Sequence, residues 1–204
     1  MSWPLINDNI KTVKEKLRQI LSQRKKKPIS APERIPAAVL VPIYEKDGQH
    51  YILFIKRTEW VEKHKGEISF PGGAFEDTDR TLLNTALRES AEEIGLAPDK
   101  VDILGELDDE VSARTNYIIT PFLAFVPWPY EFRADGRETE EIIEAPISSL
   151  MNQGSAHQEV RGGKRVTAYQ YYYQGRLIWG ATARILAKFL QIFAEVTQPD
   201  WRRE

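Results

Sequence analysis

Glu89, Glu92 and Glu93 are the residues of this 204-residue chain whose type and spacing best equip them for chemistry. They sit in the run Arg88-Glu89-Ser90-Ala91-Glu92-Glu93, and on a helix the positions i, i+3 and i+4 share one face. Three carboxylates so close together repel one another, and Arg88, four residues before Glu92, offsets only part of that repulsion. A cation held among them would remove the rest. The chain has no cysteine and three histidines, so the donors are hard oxygens, which suit Mg²⁺ or Mn²⁺ better than zinc. Upstream, Pro71 fixes one backbone angle and Gly72-Gly73 can take angles closed to other residues, so main-chain amides and carbonyls can approach a metal or a phosphate. A glycine turn entering a helix is also a natural seat for phosphate oxygens. An acidic run by itself more commonly marks a solvated helix face. Its order and spacing after the glycine turn are what carry the reading.

Those residues need elements to hold them. Leu83, Leu87, Ser90 and Ile94 recur at helical spacing, roughly 140° round the helix from the carboxylates, and are expected to anchor it. Ala37 to Tyr44 and His50 to Arg57 read as two strands joined at Asp47-Gly48, a hairpin signal, the first apolar enough to be central in a sheet. Further strands are expected over 101–107, 118–126, 141–143, 166–173 and 176–179, with Tyr171, Tyr172 and Tyr173 alternating as packing residues and Trp179 in the core. A last helix spans about 182–196. Before all of these, apolar residues at Ile6, Ile10, Val13, Leu17 and Ile20 predict an amphipathic helix over about 7–23. Its narrow stripe favours packing on the domain or on a second subunit of a homodimer over a membrane. Arg24-Lys25-Lys26-Lys27, followed by three spaced prolines, reads as a solvated linker. The expected division is therefore a helix and basic linker over 1–30 and a globular domain over 31–204.

Composition narrows the class. A chain with 42% hydrophobic and 28% charged residues can bury one core, and a net charge of −2 argues against a surface that coats nucleic acid. The lack of cysteine fits a reducing cytoplasm. The N-terminus has no signal-peptide pattern, and no apolar run is long enough to span a bilayer.

Joined in order, the turn and the acidic helix resemble the Nudix box, the signature of hydrolases that cut nucleoside diphosphates linked to another group. That pattern is Gly, five residues, Glu, seven residues, then Arg-Glu, an aliphatic, any residue, Glu-Glu, any residue, Gly and an aliphatic. Gly73 opens it and the run from Arg88 to Leu96 closes it, with Asp79 in the early acidic position, eight residues before Arg88, and Ser90 where an aliphatic is usual. The resemblance implies an α/β/α sandwich with a mixed central sheet, to which the N-terminal helix is added. It also implies Mg²⁺ or Mn²⁺ held by Glu89, Glu92, Glu93 and the Gly73 carbonyl. A downstream glutamate, Glu138 or less favourably Glu110, would bind metal or activate water, while Arg88 would orient its neighbouring glutamates.

The segment from Leu53 to Gly73 resembles the additional signature of the coenzyme A pyrophosphatase branch of that family. Leu53-Phe54-Ile55-Lys56-Arg57-Thr58 begins it, Gly66 keeps its spacing and Phe70-Pro71-Gly72-Gly73 ends it. Glu62 stands where the branch has its second arginine, so Arg57, Lys63, His64, Gly72 and Gly73 are the expected substrate-binding residues. Phe132-Arg133-Ala134 and Ile178 to Ala183 also look like that branch, and the likeness spans about residues 36–195. It implies hydrolysis of coenzyme A to 3′,5′-ADP and 4′-phosphopantetheine. ADP-ribose, NADH and dinucleoside polyphosphates remain alternative substrates, and a ligand-binding module without turnover remains an alternative class.

Overall fold

The computed structural model describes residues 12–60, 65–112, 115–161 and 164–197. Helix α1 (Val13–Gln23) opens it, capped by Thr12, whose hydroxyl and main-chain amide exchange hydrogen bonds with Glu15. Strands β1 (Ile35–Lys46) and β2 (Gln49–Arg57) form the expected hairpin. Asp47 and Gly48, with φ of 51° and 73°, both take the left-handed conformation that a two-residue hairpin turn needs. Then come β3 (Ile68–Ser69), β4 (Gly72–Ala74), helix α2 (Leu82–Ile94), β5 (Asp102–Glu106), β6 (Glu110–Val111) and β7 (Tyr117–Phe125). Strand β8 (Thr139–Pro146), helix α3 (Ile147–Met151), strands β9 (Gly154–Arg161), β10 (Lys164–Tyr173) and β11 (Arg176–Ile178), and helix α4 (Gly180–Thr197) complete the order.

The main sheet is mixed. Its spine runs β3-β2-β1-β7-β5, with β1 parallel to β7 and the other pairings antiparallel. Side chains of a strand alternate between faces, and β1 and β2 bury both of theirs. Ala38, Leu40, Leu53 and Ile55 join Ala86 and Ile94 of α2 on one face, while Val41, Ile43, Ile52 and Phe54 join Leu17, Leu186 and Phe189 of α1 and α4 on the other. This is the expected α/β/α sandwich. Strands β9, β10 and β11 form a second, antiparallel sheet that the sequence reading had only in part.

Three local expectations need correction. Of the expected anchors of α2, Ser90 and Ile94 are buried and Leu83 packs partly buried against the core, but Leu87 is not part of it, and Thr85 and Ala86 are buried instead. Ser90 fits there because its hydroxyl donates to the Ala86 carbonyl at 2.7 Å and the small side chain lets the helix approach the sheet. The Arg24–Lys27 run is not simply solvated. Arg24 pairs with Asp108 at 2.6 Å, and Lys26 reaches Glu106 at 2.7 Å and Asp109 at 2.8 Å. Trp179 is only half-buried, in the wall of the cavity described next.

Candidate active site

Gly72-Gly73 do not form a turn into a helix. They belong to β4, paired antiparallel to β1 with Val39 opposite Gly72, and α2 begins only at Leu82 behind a Thr81 cap. Gly72 has φ of 149°, and a Cβ there would lie 2.6 Å from the Val39 Cα. A Cβ on Gly73 would run into the Glu89 carboxylate. Glycine is required at Gly72 by the backbone of β1, whereas a side chain at Gly73 would have to displace the Glu89 carboxylate.

The box glutamates are not equivalent. Glu93 is buried, accepts from the Gly72 N–H at 2.8 Å and lies 3.4 Å from the Arg57 guanidinium. Burial pushes its carboxyl up to about 8, against the Gly72 and Arg57 contacts and with help from Glu89 and Glu138 nearby. Glu89 is mostly buried and raised by burial as well, although Arg88, at 3.0 Å, opposes the shift. The Glu92 side chain is 60% exposed and pairs with Arg88 at 3.1 Å. As the side chains stand, no three acidic or histidine groups among the described residues converge closely enough to hold a metal ion. Arg88 and Arg57 occupy the carboxylates that would do so.

Asp79 explains how Arg88 is placed. Arg88 donates Nε to Asp79 Oδ1 at 2.8 Å and Nη2 to Oδ2 at 3.0 Å, a bidentate pair. The Thr85 hydroxyl and the Glu76 N–H also donate to Asp79. The Arg88 hydrogen bonds hold the buried Asp79 well below the usual carboxylate range, against the effect of burial. The early acidic position is therefore filled by a residue that anchors the arginine of the helix.

Glu138 lies just before β8 and accepts from Arg57 Nη2 at 2.8 Å, so one guanidinium bridges Glu93 and Glu138. Asp135 holds the loop by accepting from the Glu138 and Thr139 amides, and Thr58 N–H donates to the Glu138 carbonyl at 2.8 Å. Glu110 is committed elsewhere, to Arg184 at 2.7 Å and Lys188 at 2.8 Å. Lys63 and His64, like Glu62, lie outside the described residues.

Arg57, Gly72, Gly73, Glu89 and Glu138 all line one cavity of about 740 Å³, within the range of nucleotide-sized ligand sites. Arg57 Nε and Ser69 Oγ, both from residues of its wall, are buried with no partner. Unpaired buried polar atoms are uncommon, and at a cavity they are ready to meet a polar ligand. The cavity wall also takes in Trp60, Tyr117, Trp179 and Arg184. Tyr117 and Arg184 carry no motif signal and reach the cavity only through the packing of elements distant in sequence, whereas Trp60 and Trp179 fall within the branch-like stretches Leu53 to Gly73 and Ile178 to Ala183.

The family model for the NUDIX domain matches residues 34–167 of this chain. The chain belongs to the Nudix family. A protein named Nudix hydrolase NudL from Photorhabdus laumondii is 34% identical over 157 residues, covering 76% of this chain and 83% of that protein. Its namesake from Klebsiella pneumoniae is 35% identical over 161 residues, covering 78% and 83%. Among solved structures, a MutT/nudix family protein from Enterococcus faecalis has a TM-score of 0.54 at 16% identity, covering 92% of this chain and 75% of that one. RenU, a Nudix hydrolase from M. smegmatis, has a TM-score of 0.53 at 17% identity, covering 82% and 90%. These likenesses support the Nudix fold and a hydrolase of this family.

Proposed function

We propose that this Nudix hydrolase cleaves the diphosphate bond of a nucleoside diphosphate derivative with the help of Mg²⁺ or Mn²⁺. Coenzyme A, giving 3′,5′-ADP and 4′-phosphopantetheine, is the substrate that the segment from Leu53 to Gly73 favours. The observation that carries the reading is Glu93, a buried carboxylate whose proton affinity is raised, set directly behind Glu89 and Gly72, which line a cavity of substrate size.

The donor set fits a hard divalent cation. Glu89 and Glu93 are buried carboxylates whose charge burial disfavours despite an arginine beside each, and the crowding of Gly73 against Glu89 puts a main-chain carbonyl in the same neighbourhood. Glu89, Glu93 and the Gly73 carbonyl would hold the ion, with Glu92 joining once released from Arg88. When bound, the cation neutralises phosphate oxygens and favours ionisation of water. Arg57 would bind a diphosphate oxygen through the guanidinium that now bridges Glu93 and Glu138. Drawing Arg57 off Glu138 leaves that carboxylate, 57% exposed at the cavity, able to accept a proton from the attacking water. The water oxygen forms a bond to phosphorus, the bridging P–O bond breaks, and the departing phosphate leaves with its electron pair. General-base help of this kind is worth about 10²–10⁴-fold. Arg88, fixed by Asp79, positions Glu89 and Glu92.

A panel of coenzyme A, ADP-ribose, NADH and dinucleoside polyphosphates, assayed with Mg²⁺ and with Mn²⁺ and with products identified, tests the reading. Coenzyme A should be turned over, and Glu93→Gln should lose most of that turnover. Near-normal rates in Glu93→Gln would sink the assignment. Tight binding of one compound without hydrolysis of any would instead make the domain a ligand-binding module.

A further inference from the structure

Trp60 is the feature of the cavity that the proposed chemistry leaves unused. Its side chain lines the same cavity as Arg57, Glu89 and Glu138, yet the residue is 85% exposed, the most exposed large hydrophobic residue described. A solvated indole at a cavity mouth forgoes a large apolar burial that a ligand could supply. The backbone that leads into it is held in place. Thr58, two residues earlier, is buried, donates its N–H to the Glu138 carbonyl and its hydroxyl to the Arg137 carbonyl, and accepts from the Gly66 amide. Glu59 packs its carboxylate against Gly66, whose φ of +64° favours glycine.

We propose that Trp60 is a stacking platform for the base of the substrate's nucleotide half, and so a determinant of substrate choice. The inference rests on the nucleotide substrate proposed above. Trp60 and Arg57 line the same cavity. With Arg57 on the phosphates, the indole borders the space left for the ribose and base. Every base has a π-face, so the platform rewards a planar base over a bare diphosphate without choosing among bases by hydrogen bonds. Because the residue is so exposed, its replacement leaves the core and the metal-side carboxylates untouched.

The test compares binding of ADP and of inorganic pyrophosphate, each with Mg²⁺, by calorimetry on the full chain, its Trp60→Ala and its Trp60→Phe variants. Trp60→Ala should weaken ADP by roughly 5- to 100-fold and leave pyrophosphate within about twofold, while Trp60→Phe keeps most of the ADP affinity. ADP should also quench indole fluorescence less in Trp60→Phe than in the wild type, and the melting temperatures of all three should agree. Equal ADP affinity in wild type and Trp60→Ala, or equal losses for ADP and pyrophosphate, would overturn the platform. The substrate panel separates the two readings. Turnover with an unchanged KM in Trp60→Ala removes the platform and keeps the hydrolase. Selective loss of ADP affinity without turnover of any substrate keeps the platform and removes the hydrolase. A wild type that binds neither probe yet turns over the panel removes the platform and keeps the hydrolase.

Discussion

Glu93 shows how one residue can be destabilising and useful at once. Its carboxyl titrates near 8 in the folded chain against an ordinary value of 4.5, so across that window the folded state binds more protons than the unfolded one. Stability of the metal-free protein therefore falls as pH rises from about 4.5 towards 8, and the upward shift of Glu89 acts in the same sense. Glu93→Gln should remove much of that slope and melt several degrees above the wild type at pH 8 without metal, as scanning calorimetry would record. Asp79 works the other way, since its depressed carboxyl contributes stability that is lost only in strong acid. Asp79→Ala leaves Arg88 part-buried without its bidentate partner and should cost about 3–5 kcal/mol in denaturant melts. That role was hidden in the sequence. Asp79 is visible there only as a departure from a motif, and its burial under Arg88, Thr85 and the Glu76 amide depends on the 3₁₀ turn over Asp77–Asp79. Placing the glutamates on one helix was a matter of counting, whereas their unequal burial depends on how α2 rolls against the sheet.

The elements were legible where hydrophobic period and turn chemistry agreed. The β1–β2 hairpin, β7 and α4 stand close to their expected positions, because Asp47-Gly48 and unbroken apolar runs admit few alternatives. Strand β9 gave no such signal. It is solvent-exposed almost throughout, so no alternation marks Gly154–Arg161 as a strand, and its pairing with β10 defines it. Likewise β4 is two glycines and an alanine that extend only because β1 offers them a partner. The apolar stripe of α1 announced packing on the domain or on a second subunit but not its partners, since Leu17 and Leu21 meet β5 and α4 only after the chain has closed. Gly105 is the tightest point of that contact. It has φ of 152°, and a Cβ would stand 2.7 Å from the Leu21 Cβ. Gly105→Ala should therefore push α1 off the sheet and cost about 1–3 kcal/mol, with amide exchange rising first in Val13–Gln23.

At the scale of the whole molecule, two arginines stand in for the cations that the cavity's carboxylates lack. Ligand linkage then predicts that Mg²⁺ or Mn²⁺ at a hundred times its Kd adds about 2.7 kcal/mol of stability. Thermal melts with and without metal should show that gain in the wild type and little of it in Glu93→Gln. The family was legible through the resemblance of the glycine-rich stretch and acidic helix to the Nudix box. The cavity was not, because its wall is assembled from β1, β2, β3, β4, α2, β7 and α4, segments that sit far apart along the chain.

The parallel pairing at the centre of the sheet sets the tempo of assembly. Ile35 of β1 pairs with Tyr117 of β7, roughly eighty residues downstream, and the register holds to Ile43 and Phe125. During synthesis, β1, β2 and α2 leave the ribosome well before the strand that completes their sheet, and they wait with one edge bare. Refolding should accordingly be slow, in the millisecond-to-second range typical of non-local topologies, and the early species should be the one most prone to sticking to its neighbours.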